Sequence, residues 1–315
     1  MMSSRSHLRL LRGTRAVPKA LRGGIVTIGS FDGVHRGHQT LISRTLERAR
    51  AEGRPALIVS FEPMPREFLS PDTAPARLTN FRERWRLFER SGLDAFVLLR
   101  FDDTLRQMPG EAFLRLLTDD LGVAGIVVGH DFRFGRHGQA DAAFLGAASE
   151  KGDFWVEVIE PVRLGSERVS SSELRSALAA RDLPRAAHLL GRPYTMRGRV
   201  VAGQQLGRTL GFPTANIRVR RRRLPLSGVF AVRVHGIGGS PLGGVASLGT
   251  RPTVGGVEPL LETFVFDFSG DLYGRELEIE FVAHLRDELR FESVDLMVVQ
   301  MQVDARTARE WVTKQ

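Results

Sequence analysis

The stretch IGSFDGVHRGHQTL, residues 28–41, joins a short apolar run to a helical pattern. The apolar run GIVTIG, residues 24–29, predicts a buried strand, and apolar residues then recur at helical spacing from about residue 38 to 51. A short strand followed at once by a helix is the first half of a βαβ unit. Ligands of such folds bind beyond the carboxyl ends of the strands, so residues 29–38 stand where a binding loop is expected.

The same alternation continues to about residue 180. The later strand-like runs are ALIVSFE (56–62), AFVLLRF (95–101), GIVVGHDF (125–132) and FWVEVIE (154–160). The helical patterns between and after them are NFRERWRLFERSG (80–92), PGEAFLRLLTDDLG (109–122), ADAAFLGAASEKG (140–152) and SSSELRSALAA (170–180). Repeated strand-then-helix units predict a Rossmann-like α/β domain with a parallel sheet.

Beyond about residue 184 the strand–helix alternation gives way to short strand-like segments separated by glycine and proline turns. These strand-like segments are RGRVVAG, GVFAVRVHG, GGVASLGT, LLETFVFDF and ELEIEFVAHL. A helical pattern returns only in SVDLMVVQMQVDARTAREWV, residues 293–312. The second half therefore predicts an antiparallel β-barrel closed by a C-terminal helix. We expect the domains to span residues 1–183 and 184–315.

Composition limits the classes of protein that this chain can represent. The 315 residues include no cysteine, which excludes disulfides and thiolate metal sites. No apolar run approaches the roughly 20 residues that span a bilayer, and the basic N-terminus lacks the apolar core of a signal peptide. We therefore expect a cytoplasmic protein without a membrane partner. The net charge of +9 suits an anionic partner, which could be nucleic acid or a phosphorylated small molecule.

The binding loop offers both flexibility and imidazole donors. Gly29, Gly33 and Gly37 let the backbone turn tightly and approach a ligand. His35 and His38 are three residues apart at the start of the predicted helix, whose N-terminus favours anions. Imidazole N–H groups there could stabilise the charge that develops on phosphate oxygens. Surface histidines beside a turn and a zinc site are the alternatives, although no third zinc ligand stands at a familiar spacing.

The segment GSFDGVHRGH, residues 29–38, resembles the signature of the HxGH nucleotidylyltransferase superfamily, in its flavin adenylyltransferase branch. VVGHDFRFGRHG (127–138) and VSSSELRSAL (169–178) are similar to the second and third motifs of that branch. The resemblance implies that His35 and His38 contact ATP phosphates during catalysis. It also implies a flavin- and nucleotide-binding set made of Gly29, Phe31, Asp32, Gly33, Gly37, Gly129, Asp131, Phe132, Phe134, Ser171 and Ser172.

The third motif has its own chemistry, and the sequence also departs from the family at one position. Ser171 and Ser172 can cap a helix and donate to a phosphate. Arg175, one turn later, can donate two parallel hydrogen bonds to phosphate oxygens, and we predict a catalytic role for it. In FEPMPREF, residues 61–68, Met64 stands where many relatives carry a histidine. No role of that histidine is carried over to this chain.

In the second half, GRVVAGQQLGRTLGFPTANI (198–217) resembles the riboflavin kinase motif, whose core is Gly-Phe-Pro-Thr-Ala-Asn. The Thr214 hydroxyl and the Asn216 amide oxygen are hard oxygen ligands that suit Mg²⁺. Glu262 precedes the DLYG segment and matches the family's catalytic glutamate, which would accept a proton from the substrate hydroxyl. The predicted nucleotide- and substrate-binding residues of this half are Gly203, Gly207, Arg208, Gly211, Phe212, Pro213 and Arg290.

The resemblance spans residues 22–312 and is to the bacterial bifunctional riboflavin kinase/FMN adenylyltransferase (FAD synthetase) family. It implies ATP-dependent phosphorylation of riboflavin to FMN and adenylylation of FMN to FAD, with Mg²⁺ as the metal. Two alternatives stay open at this point. A nucleic-acid-binding protein could use RVRRRRL, residues 218–224, as a phosphate clamp. A nucleotidylyltransferase for another phosphorylated substrate would leave the second half unexplained. We expect no nucleic-acid partner, and the sequence does not indicate an oligomeric state.

Overall fold

The computed structural model of the chain describes residues 8–15, 17–203, 210–253 and 256–313. The chain divides into two compact units. The first contains Met1–Pro75 and Phe81–Ser170, and the second contains Ala76–Asn80 and Ser171–Gln315. Each unit is described by itself below.

The first unit contains the predicted parallel sheet. Its six strands are β1 (Arg9–Arg12), β2 (Ile25–Ile28), β3 (Ala56–Glu62), β4 (Ala95–Arg100), β5 (Gly125–Gly129) and β8 (Trp155–Ile159). They lie in the order β1-β4-β3-β2-β5-β8, and every neighbouring pair is parallel. Two antiparallel pairs of short strands are separate from it, β6 (Arg133–Phe134) with β7 (Ala140–Asp141) and β9 (Arg163–Leu164) with β10 (Glu167–Arg168). The sequence-based prediction of a parallel α/β domain is confirmed.

Helices of the first unit follow the strands as the alternation predicted. They are α1 (Arg36–Ala51), α2 (Pro65–Leu69), α3 (Phe81–Ser91), α4 (Asp103–Gln107), α5 (Gly110–Arg115) and α6 (Ala142–Ser149). A π-helical turn, Leu116–Asp120, continues α5. Side chains of β2 alternate between two apolar clusters, with Val26 and Ile28 in one and Ile25 in the other. The central strand is thus buried on both faces, and its carboxyl end opens directly into the loop before α1.

The second unit is built around a closed antiparallel barrel. Its strands are β11 (Thr195–Val201), β12 (Thr214–Arg218), β13 (Gly228–His235), β14 (Leu242–Thr253), β15 (Gly256–Val265) and β16 (Glu276–Arg286). They close in the order β11-β12-β15-β14-β13-β16. Helices α7 (Ser171–Ala179) and α8 (Leu183–Leu190) precede the barrel, and α9 (Val294–Thr313) follows it. The predicted barrel and C-terminal helix are confirmed, whereas β12 was not among the predicted strands.

Helix α9 packs against the barrel through a small apolar cluster. Ala308 is fully buried there with Ala231, Phe266 and Ala283. Close to the end of β16, the Arg286 guanidinium donates to both carboxylate oxygens of Asp304, at 2.7 to 3.1 Å. The ion pair joins the helix to the strand and places the middle of α9 beside the end of β16.

One member of the arginine run in residues 220–223 has a structural role. Arg221 is buried and donates to the carbonyls of Arg77, Leu78 and Val219, at 2.9 to 3.2 Å. The Tyr194 hydroxyl donates to the same Leu78 carbonyl at 3.0 Å. The guanidinium of Arg221 is therefore hydrogen-bonded to backbone carbonyls inside the second unit. A phosphate clamp would need its guanidinium at the surface.

The domain boundary at residues 183 and 184 stays a prediction. In the structure α7 and α8 both belong to the second unit, together with the short segment Ala76–Asn80. Among the described residues, no helix combines the length and the apolar character that crossing a bilayer would require.

Candidate active sites

The loop between β2 and α1 has an unusual backbone. Phe31, Gly33 and Val34 all have positive φ, at 51°, 86° and 44°. Positive φ is uncommon for a bulky side chain and especially for a β-branched one, so the loop needs support from its surroundings. Phe31 supplies some of that support, because its ring is fully buried and packs edge-on against Phe88. The sequence predicted the glycine but not the two strained non-glycine positions.

His35 and His38 lie together at the start of α1. His35 is the N-cap of the helix, and its Nδ1 accepts a hydrogen bond from the backbone N–H of His38 at 3.4 Å. The two rings stack with centroids 3.7 Å apart and planes inclined by 18°. Because Nδ1 of His35 accepts, the hydrogen of the neutral His35 ring belongs on Nε2, where it can be donated to a ligand.

The surroundings of His38 favour a neutral ring. Burial, and secondly the neighbouring His35, hold the pKa of His38 well below its usual value. His38 therefore stays neutral near pH 7, and a neutral imidazole still offers one N–H donor. The first turn of α1 contains no acidic residue, so nothing on the helix itself offsets the partial positive charge of its N-terminus. The arrangement suits the phosphates of a nucleotide.

A buried arginine that the sequence analysis missed stabilises the loop between β2 and α1. Arg84, on α3, is fully buried and donates to the Ser30 carbonyl at 3.0 Å and to the Ser60 hydroxyl at 2.8 Å. Its other amino group lies 2.6 Å from the Glu62 carboxylate. The guanidinium thus connects the end of β3 to Ser30 in the loop. Arg84 shares its helical stripe with Phe81, Trp85 and Phe88, and a charge in an apolar stripe was the signal that could have revealed it.

The second motif places its residues at the end of β5. Gly129 is the last residue of that strand, and Asp131 is exposed and accepts from the Arg168 guanidinium at 2.5 Å. Phe132 and Phe134 stack with centroids 5.4 Å apart. Phe134 is buried in the core, whereas Phe132 is only partly buried. Phe132 is therefore the ring of the pair that is open to a ligand.

The third motif lies at the start of α7, in the second unit. Ser171 is the first residue of this helix, and Ser172 follows it. The Arg175 Nε donates to the Ala76 carbonyl at 2.7 Å, and the same guanidinium donates to the Ser171 carbonyl at 3.3 Å. Met64, at the departure from the family pattern, is buried at the N-terminal end of α2. Contact of Arg175 with phosphate remains a prediction.

A cavity of about 230 Å³ opens on the barrel side of α9. Strands β12, β13, β14 and β15 form one wall, and the end of β16, the loop after it and α9 form the other. Its lining residues are Phe212, Thr214, Val229, Val245, Ser247, Glu262, Phe264, Arg286, Glu288, Leu289, Phe291, Met297, Met301 and Asp304. The mixture of aromatic, thioether and carboxylate groups suits a ligand with a flat ring and a polar chain.

Strand register arranges the polar members of this second site in a row. Asn216 of β12 stands opposite Glu262 of β15, and Glu262 stands opposite Ser247 of β14. Directly opposite residues point to the same face of a sheet, so the three side chains are lateral neighbours. Leu261 and Thr263, which flank Glu262, are fully buried on the other face. The predicted Glu262 and Thr214 therefore line one cavity.

Gly203 and Asn216 fit together closely. A Cβ at Gly203 would overlap the Asn216 side-chain amide. Glycine at position 203 thus leaves a cradle that the amide fills, and this is a physical reason for glycine there. The predicted residues Gly207 and Arg208 lie outside the described residues.

The remaining predicted residues of this half surround the cavity or lie near it. Phe212 packs edge-on against Phe264, with centroids 5.1 Å apart, and lines the cavity. Gly211 has a φ of 82°, which favours glycine. Pro213 and Arg290 are exposed, and neither lines the cavity. Their predicted contact with substrate is untested.

No cluster of metal-binding side chains supports the zinc alternative. Within the described residues, no group of three or more histidine, aspartate or glutamate side chains could hold a metal ion. A Thr–Asn oxygen pair that shares an ion with phosphates and water is a different kind of site, because Mg²⁺ needs few protein ligands.

Comparison with known proteins matches each half separately. Residues 17–173 match the sequence model of a family described as FAD synthetase, and residues 190–312 match one described as riboflavin kinase. A bifunctional riboflavin kinase/FMN adenylyltransferase of Pseudomonas fluorescens is 45% identical over 304 residues, covering 96% of this chain and 97% of the relative. Its counterpart in Escherichia coli K12 is 42% identical, covering 96% of this chain and 98% of the relative.

A solved structure agrees over nearly the same length. A crystal structure described as a macrolide-efflux protein from Streptococcus pneumoniae superposes with a TM-score of 0.82 at 30% identity. The match covers 96% of this chain and 98% of that one. The similarity therefore includes both units, the parallel sheet and the barrel.

Proposed function

The chain belongs to the bifunctional riboflavin kinase/FMN adenylyltransferase family, and we propose that each reaction uses one of the two sites described above. The barrel unit phosphorylates riboflavin to FMN, and the loop before α1 serves the adenylylation of FMN to FAD. The observation that supports this division best is the row Asn216–Glu262–Ser247, in which Glu262 and Ser247 line a cavity that also contains aromatic rings. An amide, a carboxylate and a hydroxyl beside an aromatic pocket match a substrate with a flat ring and a polyhydroxylated chain.

In the kinase reaction Glu262 is the proton acceptor. The terminal ribityl hydroxyl of riboflavin attacks the γ-phosphorus of ATP, the bond from that phosphorus to the bridging oxygen breaks, and ADP leaves. Glu262 orients the hydroxyl and takes its proton as the new phosphate ester forms. Phe212, Phe264 and Phe291 line the cavity and would exclude water from the flavin side of the substrate.

Thr214 and Asn216 would hold the magnesium ion. They are two residues apart on β12 and so share a face of the strand, on which Asn216 stands opposite Glu262. Gly203 leaves the room in which the Asn216 amide lies. When bound, Mg²⁺ would supply positive charge that offsets the negative charge developing during phosphoryl transfer.

We expect Gly203→Ala to lower kcat/KM for FMN formation by on the order of 10- to 100-fold, because the added methyl displaces the Asn216 amide from its position. Conversion of supplied FMN to FAD should be unchanged. Gly239→Ala is the matched control, since a Cβ at Gly239 would meet nothing within 4 Å. Steady-state kinetics of both reactions measure the effect. Equal activity of the two variants would refute the proposed role of the cradle.

In the adenylylation reaction FMN itself is the nucleophile. An oxygen of its phosphate attacks the α-phosphorus of ATP, and pyrophosphate leaves, so no covalent enzyme intermediate is required. His35 and His38, beside the N-terminus of α1, donate to phosphate oxygens, and the low pKa of His38 keeps its ring neutral. Arg84 acts indirectly, because it fixes the loop that carries them. Arg175, Ser171 and Ser172 keep their proposed role as phosphate donors on the family resemblance.

Incubation of the purified protein with riboflavin, ATP and Mg²⁺ tests the function directly. Separation of the flavins over time should show FMN appearing first and FAD following, with pyrophosphate released in step with FAD. Absence of any phosphorylated flavin would refute the proposal. We also propose a cytoplasmic location, because both reactions consume ATP.

A further inference from the structure

The loop after β16 places a carboxylate in the wall of the cavity. This carboxylate has no role in either reaction as described above. Glu288 lies in this loop and lines the cavity with Ser247 and Glu262. Its carboxylate lies over Gly249 of β14, where any Cβ would overlap the carboxylate oxygens. Although the loop is at the surface, the charged end of Glu288 points back to the barrel. The sequence analysis did not identify it.

The carboxylate is held in place from two sides. Ser247 lies close enough to lower the pKa of the Glu288 carboxyl, and Gly249 leaves the space that the carboxylate fills. Arg286, just before the loop, donates to the Asp287 carbonyl at 2.9 Å, and its guanidinium lies 5.7 Å from the centre of the Phe291 ring. The loop is thereby anchored on both sides of Glu288.

Glu288 extends the polar row by one further step. Ser247 stands opposite Glu262 on the neighbouring strand, one strand spacing of about 4.8 Å away. Glu288 contacts Ser247, so the row runs Asn216, Glu262, Ser247 and Glu288. A chain whose end lies at Glu262 would pass Ser247 and Glu288 if it followed this row.

The ribityl chain of riboflavin has the chemistry for that path. Its terminal hydroxyl is the group that is phosphorylated, and the next three carbons each carry a further hydroxyl. An ionised carboxylate only accepts hydrogen bonds, and its two oxygens can accept from two adjacent hydroxyls. Burial raises the pKa of the Glu288 carboxyl, while the nearby Ser247 and the Arg286 charge oppose that rise. Its ionised form is therefore incompletely solvated and would be stabilised by hydroxyl donors.

We propose that Glu288 is a specificity residue of the kinase site, which accepts hydrogen bonds from two adjacent internal hydroxyls of the ribityl chain while Glu262 receives the terminal one. This inference rests on the proposed function of the barrel unit. It separates two tasks that carboxylates perform in one cavity. Glu262 takes part in phosphoryl transfer, and Glu288 selects a polyhydroxylated chain over a plain alkyl alcohol.

The test compares riboflavin with a flavin that bears a 5-hydroxypentyl chain in place of the ribityl chain. This probe keeps the terminal hydroxyl and lacks the three internal ones. Kinase kinetics with both flavins are measured for the wild type, Glu288→Ala, Glu288→Gln and the control Glu292→Gln. Glu292 is exposed, lies in the same loop and does not line the cavity. Conversion of FMN to FAD is measured in every variant to show that the chain is folded.

Glu288→Ala should lower kcat/KM for riboflavin by about 10- to 100-fold, mainly through KM, because hydrogen bonds to a charged group are lost. Its kcat/KM for the hydroxypentyl flavin should stay within about twofold, so the preference for riboflavin shrinks by the same factor as the loss. The kcat/KM of Glu288→Gln for riboflavin should lie between those of the wild type and Glu288→Ala, since the amide retains one acceptor oxygen. Glu292→Gln should behave as the wild type with both flavins.

Equal losses with both flavins in Glu288→Ala would overturn the inference, as would an unchanged preference for riboflavin. If Glu288→Ala also lost FMN-to-FAD conversion, the isosteric Glu288→Gln would decide by the same comparison. Failure of the proposed function itself looks different, because the wild type would then form no FMN at all.

Discussion

Glu262→Gln is expected to reduce FMN formation by roughly 10²- to 10⁴-fold, the usual contribution of a positioned proton acceptor. The amide keeps the shape of the side chain in the row with Asn216 and Ser247 but cannot take the proton of the ribityl hydroxyl. The KM for riboflavin should change little, because the change removes an interaction of the transition state. Conversion of supplied FMN to FAD should continue at the wild-type rate, since Glu262 lies in the barrel unit.

The control for this variant is Glu258→Gln. Glu258 is on the same strand four residues earlier, is exposed and does not line the cavity. It should retain both activities, which would exclude a general effect of removing a charge from β15. Loss of FAD formation from supplied FMN in folded Glu262→Gln would contradict the assignment of the two reactions to two sites.

Local sequence pattern was sufficient to predict most elements of the fold. Runs such as ALIVSFE and AFVLLRF became buried strands because continuous apolar residues suit a sheet covered on both faces. The pattern failed for β1, Arg9–Arg12, where two of the four residues are charged. This strand exists because it pairs with β4, at the edge of the sheet, and pairing of that kind is not visible locally.

Strand β12 was missed for a related reason. Its residues TANIR contain few strong strand formers and follow a glycine and a proline, so the local pattern does not predict a strand there. In the barrel it is paired on both sides, with β11 and β15, and the neighbouring strands determine its conformation. Thr214 and Asn216, the predicted metal ligands, are thus held on a paired strand.

From the sequence alone, candidate site residues could be proposed where the chemistry is close in sequence but not where it depends on strand register. His35 and His38 could be found because their spacing on a helix start is itself the signal. Ser247 and Glu288 could not, because only the pairing of β14 with β15 and the path of the loop after β16 bring them to Glu262. Arg84 was missed because its role requires the ends of β2 and β3 to be neighbours.

Replacement of His38 should impair the adenylylation of FMN and leave the kinase reaction intact, which is the reverse of the selectivity expected for Glu262→Gln. His38→Ala is expected to lower the rate of FMN adenylylation by roughly 10²- to 10³-fold, as loss of a donor to developing negative charge typically does. Formation of FMN from riboflavin should be unaffected. Because burial and His35 keep the His38 pKa low, its ring is neutral at and above pH 7, and loss of an imidazolium should not slow the wild type as the pH rises.

Thr40→Ala is the matched control for His38→Ala, since Thr40 is exposed on α1 and its hydroxyl donates to the Arg36 carbonyl of the same helix. Both variants are assayed with FMN and ATP by release of pyrophosphate, and with riboflavin and ATP by formation of FMN. If His38→Ala lost the kinase reaction as well, or if it adenylylated FMN as fast as Thr40→Ala, the stacked histidines could not be the phosphate-binding pair. A selective loss would instead place the charge that develops on the ATP phosphates at the N-terminus of α1, where His35 and His38 lie.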